Sequence, residues 1–287
     1  MNEAAAVRVE YANTIARIIF DQPNARANTL STAVWNDLAD ALTEVASRRD
    51  LTGLIVSSKK DGIFIAGADL KELNSLIGDE SGLARRLLTA GLGVLAAIEA
   101  MPFPTVAMID GAALGGGLEV ALACDYRVAG SHLKCKLGLP EVKLCLIPGW
   151  GGTQRLPRLV GLPTGAEMLI TGRSYSPLEA FAISLVEDAV PSDQLETAAV
   201  AALARTDWSA RRSKRANPAI GVMPTDWTDQ LAQLSEDERA AAEVVLHVVA
   251  AGATLPLQQA TTVETDAFVP LLNSPAAHRR IEAFLKK

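Results

Sequence analysis

An α/β fold with largely parallel strand pairing is predicted, and three observations predict it. Short β-prone runs alternate with helical stretches from Val7 to Val190, the order that builds strand–helix–strand units. Val106–Ile109 is apolar throughout and reads as a buried strand. After Gly149 the character changes, and beyond Asp193 almost everything has helical periodicity. The expected plan is an α/β core over residues 1–200 and a helical region over 201–287.

Val7–Glu10 and Ile15–Phe20 are strands separated by a turn, and Asp21-Gln22-Pro23-Asn24 ends the second. From Thr32 to Arg49 the apolar positions Val34, Leu38, Ala41, Leu42 and Val45 recur at helical spacing, with Ser31 as cap. Leu54–Ser57 is a strand, followed by a loop over Lys59–Gly67. Arg85–Met101 is helical and is stopped by Pro102 and Pro104. Gly115–Cys124 reads as a helix and Tyr126–Ala129 as a strand. Short helices follow over Thr153–Val160, Pro163–Thr171 and Pro177–Leu185, with one β-prone run at Val186–Val190. Arg205–Asp229 is polar, Pro-containing and weakly periodic, and reads as a connector. Helices resume over Glu236–Ala251, Leu255–Val269 and Pro275–Lys286.

Composition narrows the function. The hydrophobic fraction of 49% supplies a core, and a net charge of -6 argues against a general nucleic-acid binder. The basic cluster Arg211, Arg212, Lys214 and Arg215 reads as a solvated loop or helix face. Cys124, Cys135 and Cys145 have no CxxC spacing and read as buried thiols of a reducing, cytoplasmic setting. No cluster of Cys, His and acids has zinc spacing, so no metal is expected. Met1–Glu10 lacks a basic region followed by an apolar run, and the apolar stretch Ala96–Val128 is interrupted by Glu99, Asp110, Glu119 and Asp125, so neither signal peptide nor membrane span is expected. Gly91–Ala96 fits the dinucleotide pattern GxGxxA but lies inside a helix, with no acid ending a following strand; no nicotinamide cofactor is expected.

The chemistry concentrates in three segments. Glu119 stands among Val, Ala, Leu and Cys just after Gly115-Gly116-Gly117, a costly place for a carboxylate. Glu141 is a second isolated carboxylate, in GLPEVKL before the glycine cluster PGWGGT. Phe64–Leu70 and Ala113–Glu119 each put small residues where the chain enters a helix, leaving backbone N–H groups free for a ligand, with Gly116 and Gly117 unshielded. Two such donors aimed at one point stabilise charge on a carbonyl oxygen, and two carboxylates beside it suggest acid/base chemistry on the neighbouring carbons. Each motif alone also has a structural reading: glycines for tight helix packing, Glu119 paired with Arg127 or Arg155, Glu141 as a helix-start carboxylate. Taken together and in this order, they favour function.

The chain resembles the crotonase (enoyl-CoA hydratase/isomerase) superfamily over essentially its whole length. The segments that carry the likeness are FIAGADLKEL, PTVAMIDGAALGGGLEVALACDYRVA, GLPEVKLCLIPGWGGTQRLPRLVG and AEMLITGRSYSPLEAFAISLVEDAV. PNARANTLS and FVPLLNSPAAHRRIEAFL are similar to the hydratase half of multifunctional fatty-oxidation α subunits. The resemblance implies a crotonase-like spiral of ββα units, acyl-CoA substrates, and a C-terminal helical region that builds homotrimers or dimers of trimers. It maps the oxyanion-hole N–H groups onto Ala68 and Gly116, and the two catalytic glutamates onto Glu119 and Glu141. It places substrate and CoA contacts at Ala25, Ala27, Ala66, Asp69, Leu70, Lys71, Gly115, Pro140, Gly149 and Trp150. Trp150 stands where alanine is common, and the interval between Gly130 and Glu141 is longer than in monofunctional hydratases.

The implied activity is hydration of a 2-enoyl-CoA to a 3-hydroxyacyl-CoA, with coenzyme A arriving as part of the substrate and no separate cofactor. The rival readings are a double-bond isomerase of the same family, which needs one base, and a non-catalytic RNA-binding homologue using Arg211–Arg215. The absence of a dehydrogenase half leads to the expectation of a self-contained hydratase.

Overall fold

The computed structural model describes residues 5–219 and 221–286. These residues pack as two compact units interleaved along the chain. One comprises residues 5–68, 90–137 and 175–212; the other comprises 69–89, 138–174, 213–219 and 221–286. The boundary at residue 200 divides the chain in order of sequence, whereas the packing draws on several separated segments in each unit.

The first unit carries a six-stranded sheet. β1 (Val7–Ala12) pairs antiparallel with β2 (Ile15–Phe20). Asn13 takes a φ of 53° in the two-residue turn between them, a conformation asparagine tolerates. β3 (Gly53–Ser58) then pairs parallel with β2. A second element follows almost at once: β4 (Gly62–Ile65) leaves the large sheet and starts a three-stranded one. The step repeats. β5 (Thr105–Ile109) adds to the large sheet and β6 (Gly111–Leu114) to the small one; β7 (Tyr126–Gly130) and β8 (Leu137–Gly138) do the same. β9 (Asp188–Val190) closes the large sheet, in the order β1-β2-β3-β5-β7-β9. The large sheet is parallel from β2 onward, as expected, and the paired steps are the ββα turns that the resemblance implied.

β4, β6 and β8 were not foreseen; they fall in the expected loop 59–67, before the glycine run, and after Gly130. They are four, four and two residues long. Elements this short, one of them reading GAAL, carry no alternation that periodicity can detect.

The core of this unit lies where Ile55, Val106, Tyr126 and Val128 meet Leu195, Ala199 and Ala202 of the helix Leu195–Leu203. The expected connector contains a nine-residue helix, Trp208–Ala216. It is held by charge: Arg212 reaches Asp125 through Nε at 2.7 Å and Nη2 at 2.6 Å, and Arg211 reaches Glu187 at 2.6 Å. Arg211 and Arg212 are therefore tied to carboxylates and are not a solvated face. A helix docked by ion pairs lacks an apolar stripe, which explains the weak periodicity. Gly91–Ala96 lies within the helix Leu83–Glu99, as expected.

The second unit is helical. Glu236–Ala253 packs on Leu257–Leu272 and on the helices Gly152–Val160 and Leu162–Thr171. Pro275–Leu285 completes it, and Lys287, expected with Lys286 to form a solvated end, lies outside the described residues. No helix among the described residues is long and apolar enough to cross a membrane.

Candidate active site

In the first unit the glycine run resolves into three separate roles. Gly115 has φ 53° and ψ -129°, a conformation that side chains other than glycine's rarely adopt. Gly116 is the first residue of the helix Gly116–Ala123, so its N–H has no acceptor four residues back. Gly117 is a packing position: a Cβ there would lie 2.1 Å from the Ile65 carbonyl oxygen. The expectation that Gly117 is unshielded is thereby corrected. It is the closeness of β4, itself unforeseen, that fills the space.

The Ala66–Ala68 segment approaches the same helix start. A Cβ on Gly67 would lie 3.2 Å from the Leu114 carbonyl and 3.9 Å from the Gly116 nitrogen, so the backbone before Ala68 runs beside the N–H of Gly116. Its position is fixed from the other side by residues 28–30. Ala66 N–H donates to the Asn28 carbonyl, Leu30 N–H donates to the Gly67 carbonyl, and Leu30 bridges Ala68. Asn28 is buried, accepts from Gln22 N–H at 2.9 Å, and donates through Nδ2 to Ser58 Oγ at 2.9 Å and the Phe64 carbonyl at 3.1 Å. Sequence reasoning missed Asn28. Its signal was a polar residue in PNARANTLS between two small residues, Ala27 and Thr29, in a turn.

Glu119 sits in the first turn of the same helix and is only 1% exposed. The positive end of the helix dipole favours a carboxylate there. Arg127, one of its expected partners, has its donors committed elsewhere. Arg127 donates to the carbonyls of Leu185, Ala121, Cys124 and Asp125 and to Glu187, which uses all five guanidinium N–H groups. Arg155 donates to the Trp150 carbonyl at 2.7 Å and bears electrostatically on Glu264.

The second unit holds Glu141 in a 3-10 turn, Glu141–Leu144, entered from the half-buried Pro140 and closed by Cys145 at φ 58°. Cys145 N–H bonds the Val142 carbonyl, and Leu146 N–H bonds that of Glu141. The residue keeps partial exposure, but its Oε2 is buried without a hydrogen-bond partner among the described residues. Burial pushes the Glu141 carboxyl well above the ordinary carboxylate range; its own backbone N–H offsets this in part, and the charge of Glu264 pushes it further up. Glu264, 0% exposed on Leu257–Leu272, was not anticipated. It accepts from Gly151 N–H at 2.6 Å, Thr153 N–H at 2.9 Å and Thr153 Oγ1 at 2.5 Å. Its carboxyl is also raised by burial, though these donors and Arg155 favour its charged form.

The remaining expected positions fall as follows. Ala25 and Ala27 are half-buried in the turn before Asn28, and Ala66 is exposed. The Asp69 carboxylate caps Leu70–Ser75, accepting from Lys71 N–H at 2.9 Å and Glu72 N–H at 3.1 Å, so it has a local structural task. Lys71 is exposed and Leu70 half-buried. Gly149 is a packing glycine; a Cβ would lie 2.7 Å from Leu88 and 3.1 Å from Phe268. Trp150 is buried. Ala66, Ala68, Gly115, Gly116 and Glu119 belong to the first unit; Asp69–Lys71, Pro140, Glu141, Gly149 and Trp150 belong to the second.

A backbone donor junction beside a buried helix-start glutamate coincides with a whole-family match: residues 10–220 fit the enoyl-CoA hydratase/isomerase family. The chain belongs to that family. It is 44% identical over 191 residues to the fatty acid oxidation complex subunit alpha of Shewanella halifaxensis, covering 66% of this chain and 27% of that one. The chain thus spans about a quarter of the length of such relatives. An enoyl-CoA hydratase from Bacillus anthracis is 29% identical, with a TM-score of 0.63 covering 98% of this chain and 96% of that one. A carnitinyl-CoA dehydratase from Mycobacterium thermoresistibile is 22% identical, with a TM-score of 0.77 over 98% of this chain and 90% of that one, and shares the fold. Family members of this kind act on acyl-CoA thioesters.

Proposed function

We propose that the protein is an enoyl-CoA hydratase. The thioester oxygen of a 2-enoyl-CoA accepts hydrogen bonds from Ala68 and Gly116 N–H, which draws electrons from the double bond and leaves Cβ electrophilic. Glu119 takes a proton from water as its oxygen bonds to Cβ, and protonated Glu141 gives a proton to Cα as the enolate collapses. The carboxyls end with their protons exchanged, and a proton passing from Glu119 to Glu141, directly or through solvent, resets them. The reaction consumes water alone, and coenzyme A enters with the substrate.

The observation that carries this reading is the Glu141 carboxyl, which burial and the charge of Glu264 bias toward keeping a proton. An isomerase needs one base, whereas hydration needs a base for water and a proton donor for carbon. The sequence similarity to fatty acid oxidation subunits supports the same reading. We further infer assembly as a homotrimer or dimer of trimers, since Phe284 and Leu285 leave apolar surface exposed on the last helix. Three free, buried cysteines accord with a reducing, cytoplasmic setting.

The test is a panel of trans-2-enoyl-CoAs of increasing chain length, assayed for loss of the conjugated double bond in isotopically labelled water, with 3-enoyl-CoAs in parallel. Label appearing in 3-hydroxyacyl-CoA is expected. Migration of the 3-enoyl double bond with no incorporation of water assigns the isomerase instead.

A further inference from the structure

The Glu141 carboxyl has a buried Oε2 with no hydrogen-bond partner among the described residues, so its placement depends on the turn that carries it. That turn is closed by local backbone bonds, from Lys143 N–H to the Pro140 carbonyl at 3.0 Å and from Cys145 N–H to the Val142 carbonyl at 2.9 Å. Such bonds give the turn its shape but not its location. Location comes from packing, and three helices of the second unit pack on it: Leu162–Thr171, Glu236–Ala253 and Pro275–Leu285.

At the end of the first of these helices the fit leaves no room for a side chain. Gly172 terminates the helix in the left-handed region, with φ 57° and ψ 26°, and its N–H donates to the Met168 carbonyl at 3.0 Å. It is buried. A Cβ on Gly172 would lie 2.9 Å from Val142 Cγ1, 3.2 Å from Lys143 Cε and 3.3 Å from Pro140 Cα. Those residues flank Glu141 on both sides in sequence. The close approach continues further along the same two stretches, where a Cβ on Gly138 would lie 2.9 Å from Ser174 Oγ and 3.0 Å from the Arg173 carbonyl oxygen. Residues 138–143 and 172–174 therefore lie backbone against backbone, with a glycine on each side.

We propose that Gly172 is a positioning residue for Glu141: its bare Cα, at the end of the Leu162–Thr171 helix, is the seat on which the acid's turn rests. The consequence for turnover rests on the hydratase reading; the geometry does not. A helix cap of this kind needs a residue that tolerates positive φ, and asparagine meets that need. The seat needs a residue without a Cβ, and only glycine meets that. Ordinary contact begins near 3.4 Å, so an added Cβ demands a shift of about 0.5 Å at Val142. The end of the Lys143 side chain can swing aside. Val142 is buried and β-branched, stiff about the bond that would have to turn, so its shift passes to the backbone it shares with Glu141.

The experiment measures kcat and KM for hydration of a four-carbon 2-enoyl-CoA by wild type, Gly172→Ala, Gly172→Asn, Glu141→Gln and the double variant Gly172→Ala/Glu141→Gln. A misplacement of about 1 Å costs about 10²-fold, so half of it is expected to lower kcat about tenfold, with KM changed by less than about twofold. Asparagine is expected to recover stability but not kcat. Gly161→Ala is the control: Gly161 stands at the other end of the same helix with φ 92°, and a Cβ there meets nothing within 4 Å, so stability is expected to fall and kcat to hold. In the Glu141→Gln background, Gly172→Ala is expected to cost less than about twofold more, because it acts through the carboxyl already removed. An equal drop in both backgrounds overturns the proposal, and so does a kcat restored by asparagine. If the alanine chain does not fold, the same comparison runs with asparagine, which carries the same Cβ. Crystal structures of wild type and variant, superposed on Glu236–Ala253, read the placement without turnover. Residues 140–143 shifted by several tenths of an ångström support the proposal even if no enoyl-CoA is hydrated, which would sink the hydratase reading alone; an unmoved turn overturns it.

Discussion

Gly117→Ala is the sharpest test of how the first unit is built. A single methyl group added there would sit 2.1 Å from the Ile65 carbonyl oxygen and 2.8 Å from the carbonyl carbon. Ordinary contact begins near 3.4 Å, so β4 and the helix Gly116–Ala123 must part by about 1 Å, and both are backbone in a close-packed core. The strain is expected to cost about 1–3 kcal/mol, from which the better helix propensity of alanine returns at most about 1 kcal/mol. The functional cost is larger. Ile65 lies three residues before Ala68, and Gly117 lies two before Glu119, so the separation falls between the donor segment and the base. A displacement of about 1 Å in a positioned site can cost about 10²-fold in turnover. The measurement is the denaturant midpoint together with kcat/KM. The control is Gly93→Ala, in the helix Leu83–Glu99, where an added Cβ meets nothing within 4 Å. That change is expected to stabilise by about 0.5–1 kcal/mol and leave kcat/KM alone. A Gly117→Ala protein as stable and active as wild type would show that β4 does not press on this helix.

Glu119→Gln and Glu141→Gln are each expected to lower kcat by about 10²–10⁴ with the fold retained, as judged by circular dichroism; near-full hydration by Glu119→Gln would show that Glu119 is not the base that activates water. Asn28→Ala strips the acceptor from Gln22 N–H and the donors from Ser58 and the Phe64 carbonyl. It should destabilise by about 2 kcal/mol or more in chemical denaturation and raise KM for acyl-CoA; an unchanged midpoint would show the turn holds itself. Light scattering at micromolar concentration is expected to return a multiple of three times 30.3 kDa, and a fully active monomer would show that Phe284 and Leu285 need no second copy.

Periodicity sees long elements and misses short ones, and this chain shows where the line falls. The sixteen-residue helix Thr32–Ser47, with Ser31 as its cap, was legible because six buried positions repeat at helical spacing. The small sheet was not: β4, β6 and β8 are too short to alternate, although they bring the donor segment to the helix start. Residue chemistry fared differently from periodicity. Gly115, Gly116 and Glu119 stood out because each breaks a local rule, and the structure gives each a distinct place. Glu264 did not stand out: in LQQATTVETDAF it looks like the polar face of an amphipathic helix, and only the fold reveals that its face is turned inward. The same limit applied to Arg211 and Arg212, whose carboxylate partners, Glu187 and Asp125, lie far off in sequence.

Buried charge is handled in two opposite ways in this protein, and the contrast argues for chemistry at Glu141. Two buried ions of the first unit, Arg127 and Asp125, are saturated. Arg127 spends every N–H, and Asp125 accepts from Thr105 N–H, Thr105 Oγ1, and the Nε and Nη2 groups of Arg212. Such arrangements offset the desolvation of each charge with hydrogen bonds, which is what a fold needs if burial is to be tolerable. Glu264 follows that rule. Glu141 does not: one of its oxygens is buried without a hydrogen-bond partner among the described residues, and the charge of Glu264 acts against its ionisation. A chain able to give Glu264 three donors and Arg127 five acceptors has the means to satisfy one more carboxyl. Keeping Glu141 in a setting that favours its neutral form costs stability at neutral pH and above, since the fold holds a proton there that the unfolded chain releases. That cost falls on the one carboxyl the hydration chemistry asks to arrive protonated, and local rules in proteins are most often broken at the place where the reaction needs it.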